Sequence, residues 1–164
     1  MKAERGSFQP VSRDQLFQEH VHDSYKAGRK LREPTRCPDC GAVFQNGRWI
    51  WGAAGAAAHE ARCPACHRIH DKFPAGFVSL KGEFLQQHRD EILHLIRNHE
   101  AKEKAEHPLQ RIMGIVTSAE GVTVTTTDTH LARDLAQALY KAYKGELDFH
   151  YNKEDNLLRA NWVR

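Results

Sequence analysis

Several features of membrane and secreted proteins are missing from this sequence of 164 residues. No run approaches the ~20 apolar residues that a bilayer-spanning helix needs. Residues 1–6 lead into polar sequence without the apolar centre of a signal peptide. Only four cysteines occur, and all of them lie in two Cys-x-x-Cys pairs. We therefore expect a cytoplasmic protein with no membrane partner, in which reduced cysteines bind metal rather than form disulfides.

Familiar catalytic motifs are also absent. The sequence has no His-Glu-x-x-His pair, no P-loop, no Gly-x-Ser-x-Gly turn and no paired-carboxylate arrangement. It has eleven histidines, but His88 and His94 are six residues apart and so fall on different faces of a helix. We predict that the protein is not an enzyme and has no small-molecule substrate. An enzyme would need an open pocket with convergent polar groups.

The chain divides into four segments that differ in composition and hydrophobic patterning. They are a basic N-terminal arm (residues 1–36), a zinc-ribbon module with all four cysteines (37–81), a connecting helix (82–107) and a C-terminal domain (108–164). In the arm, Ser12-Arg13-Asp14-Gln15 has the pattern of a capping box and predicts a short helix that ends near Tyr25. The rest of the arm is rich in Lys and Arg, and we expect it to stay extended until it meets a partner.

The second half of the chain predicts regular secondary structure. Residues 83–106 repeat apolar side chains at helical spacing, and Pro108 ends that long helix. Residues 111–118 and 122–127 predict paired strands, and Asp128 is the predicted N-cap of the next helix. Two alternating strands complete a ββαββ order, for which one sheet with a single covering helix is the economical packing. The predicted fold class is α+β: a four-cysteine zinc ribbon, a long connecting helix and a C-terminal ββαββ domain with an antiparallel-rich sheet.

Metal binding is the strongest prediction from the sequence. Cys37 and Cys40 form one Cys-x-x-Cys pair, and Cys63 and Cys66 form another after 22 residues. Such a turn lets two thiolates bind one ion, and two turns supply the tetrahedron of soft ligands that zinc prefers. Because four protein thiolates leave no open position to activate water, we predict one structural Zn²⁺ ion.

Three alternatives for the cysteines stay open. A redox Cys-x-x-Cys usually lies at a strand-to-helix junction of a βαβ unit, and no such unit is predicted. An iron–sulfur cluster also takes four thiolates. His59, His67 or His70 could replace one cysteine ligand, although surface or supporting positions are the simpler interpretation.

The segment between the two cysteine pairs predicts a hairpin. Asn46-Gly47 separates two β-prone stretches, and both residues tolerate positive φ. Residues 52–61 are rich in Ala and Gly, which predicts either a mobile excursion or a short helix.

Charge and aromatic residues suggest an anionic partner. Residues 1–81 carry five more Lys and Arg than Asp and Glu, which fits RNA or an ordinary solvated surface. Trp can stack on unpaired bases while Arg and Lys meet phosphates. Alternatively, Trp49 and Trp51 share a strand face and fill a small core. The candidate nucleic-acid-binding residues are Lys30, Arg32, Arg36, Arg48, Trp49, Arg62, Arg68 and Lys72.

Five segments carry a resemblance to a known family: CPDCGAVFQNGRW (37–49), CPACHRIHDKFPAG (63–76), HRDEI (88–92), HPLQRIM (107–113) and TTTDTHLARDLAQALYKAYKGELDFHY (125–151). In this order they resemble a bacterial zinc-ribbon family of this length. The paired knuckles and the threonine-rich strand before an Ala/Leu helix also resemble, more distantly, the zinc-ribbon adaptor that escorts large ribosomal subunits in archaea and eukaryotes. That second resemblance implies the metal role of the four cysteines and ribosomal RNA or the ribosome as the partner class.

Two function classes follow from these observations. The first is a non-enzymatic zinc-binding protein that binds RNA or the ribosome, such as a translation or stress-response (dormancy) factor. Its phosphate contacts would make binding weaken steeply with salt. The second is a protein–protein adaptor or regulator without direct nucleic-acid contact, in which the ribbon, the long helix or a sheet edge docks on a protein partner.

Overall fold

The structure is a computed structural model that describes residues 9–10, Tyr25 and residues 30–164. The short helix predicted from Ser12 lies outside the described residues. In chain order the elements are β1 (Gln9–Pro10), β2 (Thr35–Arg36), β3 (Val43–Gln45), β4 (Arg48–Ile50), β5 (His59–Glu60), α1 (Pro64–Asp71), β6 (Gly76–Lys81), α2 (Glu83–Glu106), β7 (Ile112–Ser118), β8 (Gly121–Thr126), α3 (Thr129–Tyr143), β9 (Glu146–Asn152) and β10 (Leu157–Val163). These elements confirm the α+β class. Within this part of the chain, no helix has the length and apolar character of a membrane span.

The smaller sheet belongs to the cysteine module and has the order β4-β3-β2-β5. Asn46 (φ 53°) and Gly47 (φ 76°) form the turn between β3 and β4, and Gln45 pairs with Arg48 across it. The predicted hairpin is therefore confirmed, because these two residues supply the positive φ angles that such a turn needs. Residues 52–61 contain no helix, so that alternative is wrong; the segment ends in β5, which pairs parallel to β2.

The larger sheet has six strands in the order β1-β9-β10-β6-β8-β7. All four strands of the predicted ββαββ order form, as the antiparallel pairs β7–β8 and β9–β10. Between these pairs lies β6, parallel to β10 and antiparallel to β8. Residues 76–81 therefore belong to the C-terminal sheet, whereas the sequence pattern places them in the cysteine module. Val78 and Leu80 explain the difference, because both side chains are fully buried in the core of that sheet.

Two helices, rather than the single predicted one, contribute to the main core. Helix α3 packs on β6, β8, β9 and β10, and α2 packs against α3. The fully buried side chains on the two helices are those of Leu85, Ile92, Ile96, Leu131, Ala132, Leu135, Ala136 and Leu139. The bounds of α2 agree with the predicted residues 83–106, and the Asp128 carboxylate accepts the Leu131 N–H at 3.0 Å as a predicted N-cap should.

A close approach of α3 to β6 depends on Gly76. A Cβ atom at this position would lie 2.4 Å from Ala132 Cβ and 2.5 Å from Thr126 Oγ1. Such distances are far below van der Waals contact, so any side chain here would push the helix away from the sheet. This contact lies at the start of β6, a short connection after the end of α1 at Asp71.

Candidate metal centre

Two turns bring the four cysteines together. Cys37 and Cys40 lie on the turn between β2 and β3, where the Gly41 N–H donates to the Cys37 carbonyl at 2.9 Å. Cys63 is the N-cap of α1, and its Sγ accepts the N–H of Cys66 at 3.4 Å. Helix α1 is not predicted from the sequence. Its signal is Pro64 directly after Cys63, because proline is favoured at the first position of a helix.

The sulfur geometry fits one zinc ion. The four Sγ atoms all lie within 4.8 Å of one another, and the Cys40 and Cys63 sulfurs are 3.8 Å apart. A regular tetrahedron with Zn–S bonds of about 2.3 Å has edges of about 3.8 Å. All four cysteines are free thiols rather than disulfides, and Cys37, Cys63 and Cys66 are buried. Cys37, Cys40, Cys63 and Cys66 therefore form a site for a single structural zinc ion.

The histidines near the cysteines do not belong to this cluster. Among the residues that the structure describes, the grouped ligand atoms are the four sulfurs alone. His59, His67 and His70 are exposed, and the His70 Nδ1 pairs with the Asp71 carboxylate at 3.1 Å. The alternative in which a histidine replaces a cysteine ligand is therefore not supported.

A buried arginine from the C-terminal domain contacts three of the four sulfurs. The Arg111 guanidinium donates to the Sγ atoms of Cys66 (3.3 Å), Cys40 (3.2 Å) and Cys63 (3.3 Å). Its Nε also donates to the Pro108 carbonyl at 2.7 Å, and the residue is 7% exposed. This contact is not predicted from the sequence, because 45 to 71 residues separate Arg111 from these cysteines. No local motif marks such a pair.

Burial and hydrogen bonding shift the thiol pKa values in opposite directions. Burial raises the pKa of Cys37, but N–H groups of Cys63, Cys40 and Asp39 lower it more, to about 7. Burial raises the pKa of the Cys63 thiol far above its ordinary value, and the neighbouring thiolates add to that rise. Burial also raises the pKa of Cys66, although the hydrogen bond and charge of Arg111 oppose this. Metal binding must therefore displace protons from Cys63 and Cys66.

The candidate nucleic-acid-binding residues do not share one environment. Lys30, Arg32, Arg48 and Lys72 are exposed. Two of the others are in ion pairs: Arg36 with Glu60 at 2.9 Å, and Arg62 with Asp39.

Arg68 differs from the other basic candidates, because it is 1% exposed. Its Nη1 donates to the Phe73 carbonyl at 3.0 Å, and its guanidinium lies 4.4 Å from the centre of the Tyr25 ring. In this arrangement the Arg68 side chain supports α1 and its following turn. It is not presented on the surface where a phosphate would meet it.

The two tryptophans of the hairpin region occupy different places. Trp49 is half-buried, packs against the cysteine cluster and has its ring 5.5 Å from that of Phe44. Trp51 lies beyond the end of β4 and is 37% exposed. Its Nε1 donates to the Lys104 carbonyl near the end of α2 at 2.7 Å. The alternative in which both tryptophans fill one small core is therefore wrong for Trp51, because the strand ends before it.

A cleft of about 770 Å³ lies between the hairpin and residues 106–110. Three of the candidate residues line it, namely Lys30, Arg48 and Trp49. The other lining residues are Leu31, Phe44, Gly47, Ile50, Pro64, Glu106, His107, Pro108, Leu109, Gln110 and Asp128. Gln110 has a buried Oε1 atom without a hydrogen-bond partner in the described part of the chain. The cleft thus combines an aromatic wall with exposed cations.

Comparison of the chain with protein-family models, with curated proteins and with solved structures finds no match. The two family resemblances accordingly remain predictions from the sequence. Any functional interpretation has to start from the metal centre and from the surfaces beside it.

Proposed function

We propose that this protein is a non-enzymatic zinc-binding protein whose cysteine module binds single-stranded RNA, as a ribosome-associated translation or stress-dormancy factor would. The observation that carries the proposal is the convergence of Lys30, Arg48 and Trp49 on one cleft beside the metal centre. In this proposal the zinc ion holds the hairpin and α1 together. Because four thiolates complete its coordination, it serves as scaffold rather than as catalyst.

The chemistry of the cleft suits an unpaired nucleotide. A base can stack on the accessible part of Trp49, a contact of about 1–3 kcal/mol in single-strand binding proteins. Lys30 and Arg48 are exposed and can meet the phosphates. Two carboxylates, Glu106 and Asp128, also line the cleft. They disfavour a bare phosphate ion but can accept hydrogen bonds from the amino groups of a base.

A fluorescence-anisotropy titration with labelled single-stranded RNA of about 12 nucleotides tests the proposal. Arg48→Ala should weaken binding and lower the slope of log affinity against log salt by about 0.7, the value for one phosphate contact. Arg159→Ala is the matched control, because Arg159 is exposed on β10 and does not line the cleft. Equal effects of the two substitutions, or no binding at low salt, would refute RNA binding by this cleft.

Sedimentation tests the ribosomal part of the proposal separately. Lysates from growing and growth-arrested cells are centrifuged through sucrose gradients at low and at high salt. We expect the protein to move with ribosomal particles at low salt and to dissociate at high salt, because phosphate contacts are screened. If it stays at the top of every gradient, the ribosome is not its partner, whatever the isolated protein does with RNA.

One observation favours the second function, a protein–protein adaptor. Strand β7 is an edge of the larger sheet, contains seven residues without a charge, and has Val116 64% exposed. Natural sheets usually protect such an edge with charges, proline or short strands, as the other edge is protected by the two-residue β1 ending in Pro10. A nuclease-resistant pull-down that Val116→Lys abolishes would support pairing of a partner strand with β7.

A further inference from the structure

We infer that Arg111 is the charge-balancing residue of the metal centre, and that through it zinc determines how firmly the cysteine module docks on the C-terminal domain. The inference concerns the zinc site alone and does not depend on RNA binding. It assigns to Arg111 a positioning role that links two parts of the chain.

The metal centre needs a positive charge beside it. A zinc ion with four thiolates carries a net charge of −2, and a buried charge is costly unless an opposite charge compensates it. The Arg111 guanidinium lies 3.2–3.3 Å from three of the sulfurs and is almost completely buried. Its planar fork can donate to several acceptors at once, which the single ammonium of a lysine cannot do in the same geometry.

The backbone of Arg111 is attached to the C-terminal domain. The Arg111 backbone N–H donates to Thr127 Oγ1 at 3.0 Å, and the Arg111 carbonyl accepts the Thr127 N–H at 2.9 Å. Thr127 is itself buried and directly precedes the N-cap of α3. The backbone of Arg111 is therefore fixed to the C-terminal domain, while three acceptors of its guanidinium are sulfurs of the two cysteine turns.

Other described residues also make contacts across the boundary between the cysteine module and the C-terminal domain. Leu109 packs against the cysteine cluster, and the Trp51 indole donates to the Lys104 carbonyl. When zinc leaves, nothing imposes the tetrahedral arrangement of the sulfurs, and the buried guanidinium loses its three fixed sulfur acceptors and keeps only the Pro108 carbonyl. An uncompensated buried cation strongly destabilises the packing around it. The module should then separate from residues 107–112, and the cleft beside the hairpin should open with it.

Zinc affinity is the first measurement. Competition with a chromophoric chelator is run on the full chain, on Arg111→Met and Arg111→Lys, and on Arg68→Met. Arg68 is a matched control, because it is also buried in the module but donates to the Phe73 carbonyl. We expect Arg111→Met to weaken zinc binding by about 10- to 100-fold, the usual effect of losing an outer-sphere partner. Arg111→Lys should fall between the wild type and Arg111→Met. Arg68→Met should weaken zinc binding less than Arg111→Met does, because Arg68 supports α1 by donating to the Phe73 carbonyl.

A residue-resolved measurement separates a thiolate contact from a general loss of stability. Arg111 donates to Cys40, Cys63 and Cys66, whereas the Cys37 Sγ accepts the Cys63 N–H at 3.3 Å. Loss of the guanidinium should therefore speed the alkylation of Cys40, Cys63 and Cys66 more than that of Cys37. An equal change at all four cysteines, or an Arg111→Met affinity no lower than that of Arg68→Met, would overturn the inference.

Hydrogen exchange keeps the inference testable if Arg111→Met does not fold. In the wild-type chain, zinc removal should speed amide exchange across residues 107–112 and at Thr127, while the buried residues of α3 stay protected. Zinc-loaded Arg111→Lys should show a smaller increase at the same amides. If residues 107–112 keep their protection after zinc removal, docking does not depend on the metal and the inference is wrong.

Discussion

The cysteine module and the C-terminal domain are stabilised by different forces. The buried cluster of the module consists of three cysteines and two alanines, and its strands contain two or three residues each. The main core contains sixteen buried residues, including Trp162 and eight Leu or Ile side chains. The little apolar surface of the module cannot hold a fold alone, and metal bonds must replace it. One chain thus contains a module with little apolar core around its cysteines and a domain with a large apolar core, and Arg111 lies where the two meet.

Zinc removal should cause the largest loss of stability, because it should unfold the cysteine module and leave the C-terminal domain folded. A strong chelator should unfold the module, since a structural zinc contributes about 10–16 kcal/mol of apparent binding free energy at neutral pH. The six-stranded sheet and α3 should remain folded. Hydrogen exchange followed by mass spectrometry would show rapid exchange in residues 35–66 and retained protection in α3. A thermal melt that the chelator leaves unchanged would contradict the division into two parts.

Lowering the pH should weaken zinc binding by the cysteine module. Zinc needs thiolates, and the raised pKa values of Cys63 and Cys66 mean that each loses a proton when the metal binds. Cys37, with a pKa of about 7, loses only part of a proton at neutral pH. Zinc affinity should therefore rise with pH, by about 100-fold or more per pH unit between pH 6 and 7. The stability that zinc provides is lost as pH falls.

Chelator competition at several pH values measures that slope, and a pH indicator in weak buffer counts the released protons directly. The C-terminal domain supplies the internal control. Its apolar core has no zinc-linked thiol, so its unfolding midpoint should change far less over the same interval. A zinc affinity that is flat between pH 6 and 7 would mean that the thiols are already ionised without metal.

Gly76→Ala should instead damage the C-terminal domain. The new Cβ would lie 2.4 Å from Ala132 Cβ, so α3 must shift away from β6. Overpacking of this kind costs about 1–3 kcal/mol, which denaturant unfolding followed by far-UV circular dichroism would measure. Gly52→Ala is the matched control in the module, where the nearest atom to a new Cβ is Ile50 Cδ1 at 3.9 Å. If Gly76→Ala is no more destabilising than Gly52→Ala, the close approach of α3 to β6 does not limit the stability of this domain.

In both parts the sequence predicts features that depend on neighbouring residues and misses those that depend on tertiary packing. Local signals predict the hairpin at Asn46-Gly47, the bounds of α2 and the four ligands, because each depends on residues close together in the chain. The insertion of β6 between β10 and β8 depends on tertiary packing. The sequence of a six-residue strand does not indicate which strands pair with it. Arg111 could not be predicted for the same reason. An arginine is expected on the surface from sequence alone, and only the tertiary structure shows that this one is buried against the sulfurs.

Asp128→Ala should have the smallest effect, and it tests a residue whose role the sequence does predict. The Asp128 carboxylate accepts the Leu131 N–H at 3.0 Å, and loss of such an N-cap costs about 1 kcal/mol. The unfolding free energy of the C-terminal domain should fall by that amount while zinc stoichiometry stays at one. Asp128→Asn should retain most of the stability, because asparagine caps helices about as well as aspartate. If both variants lose the same stability, the charge of Asp128 matters more than the cap. If either variant loses zinc, the module depends on α3 more than the separate cores imply.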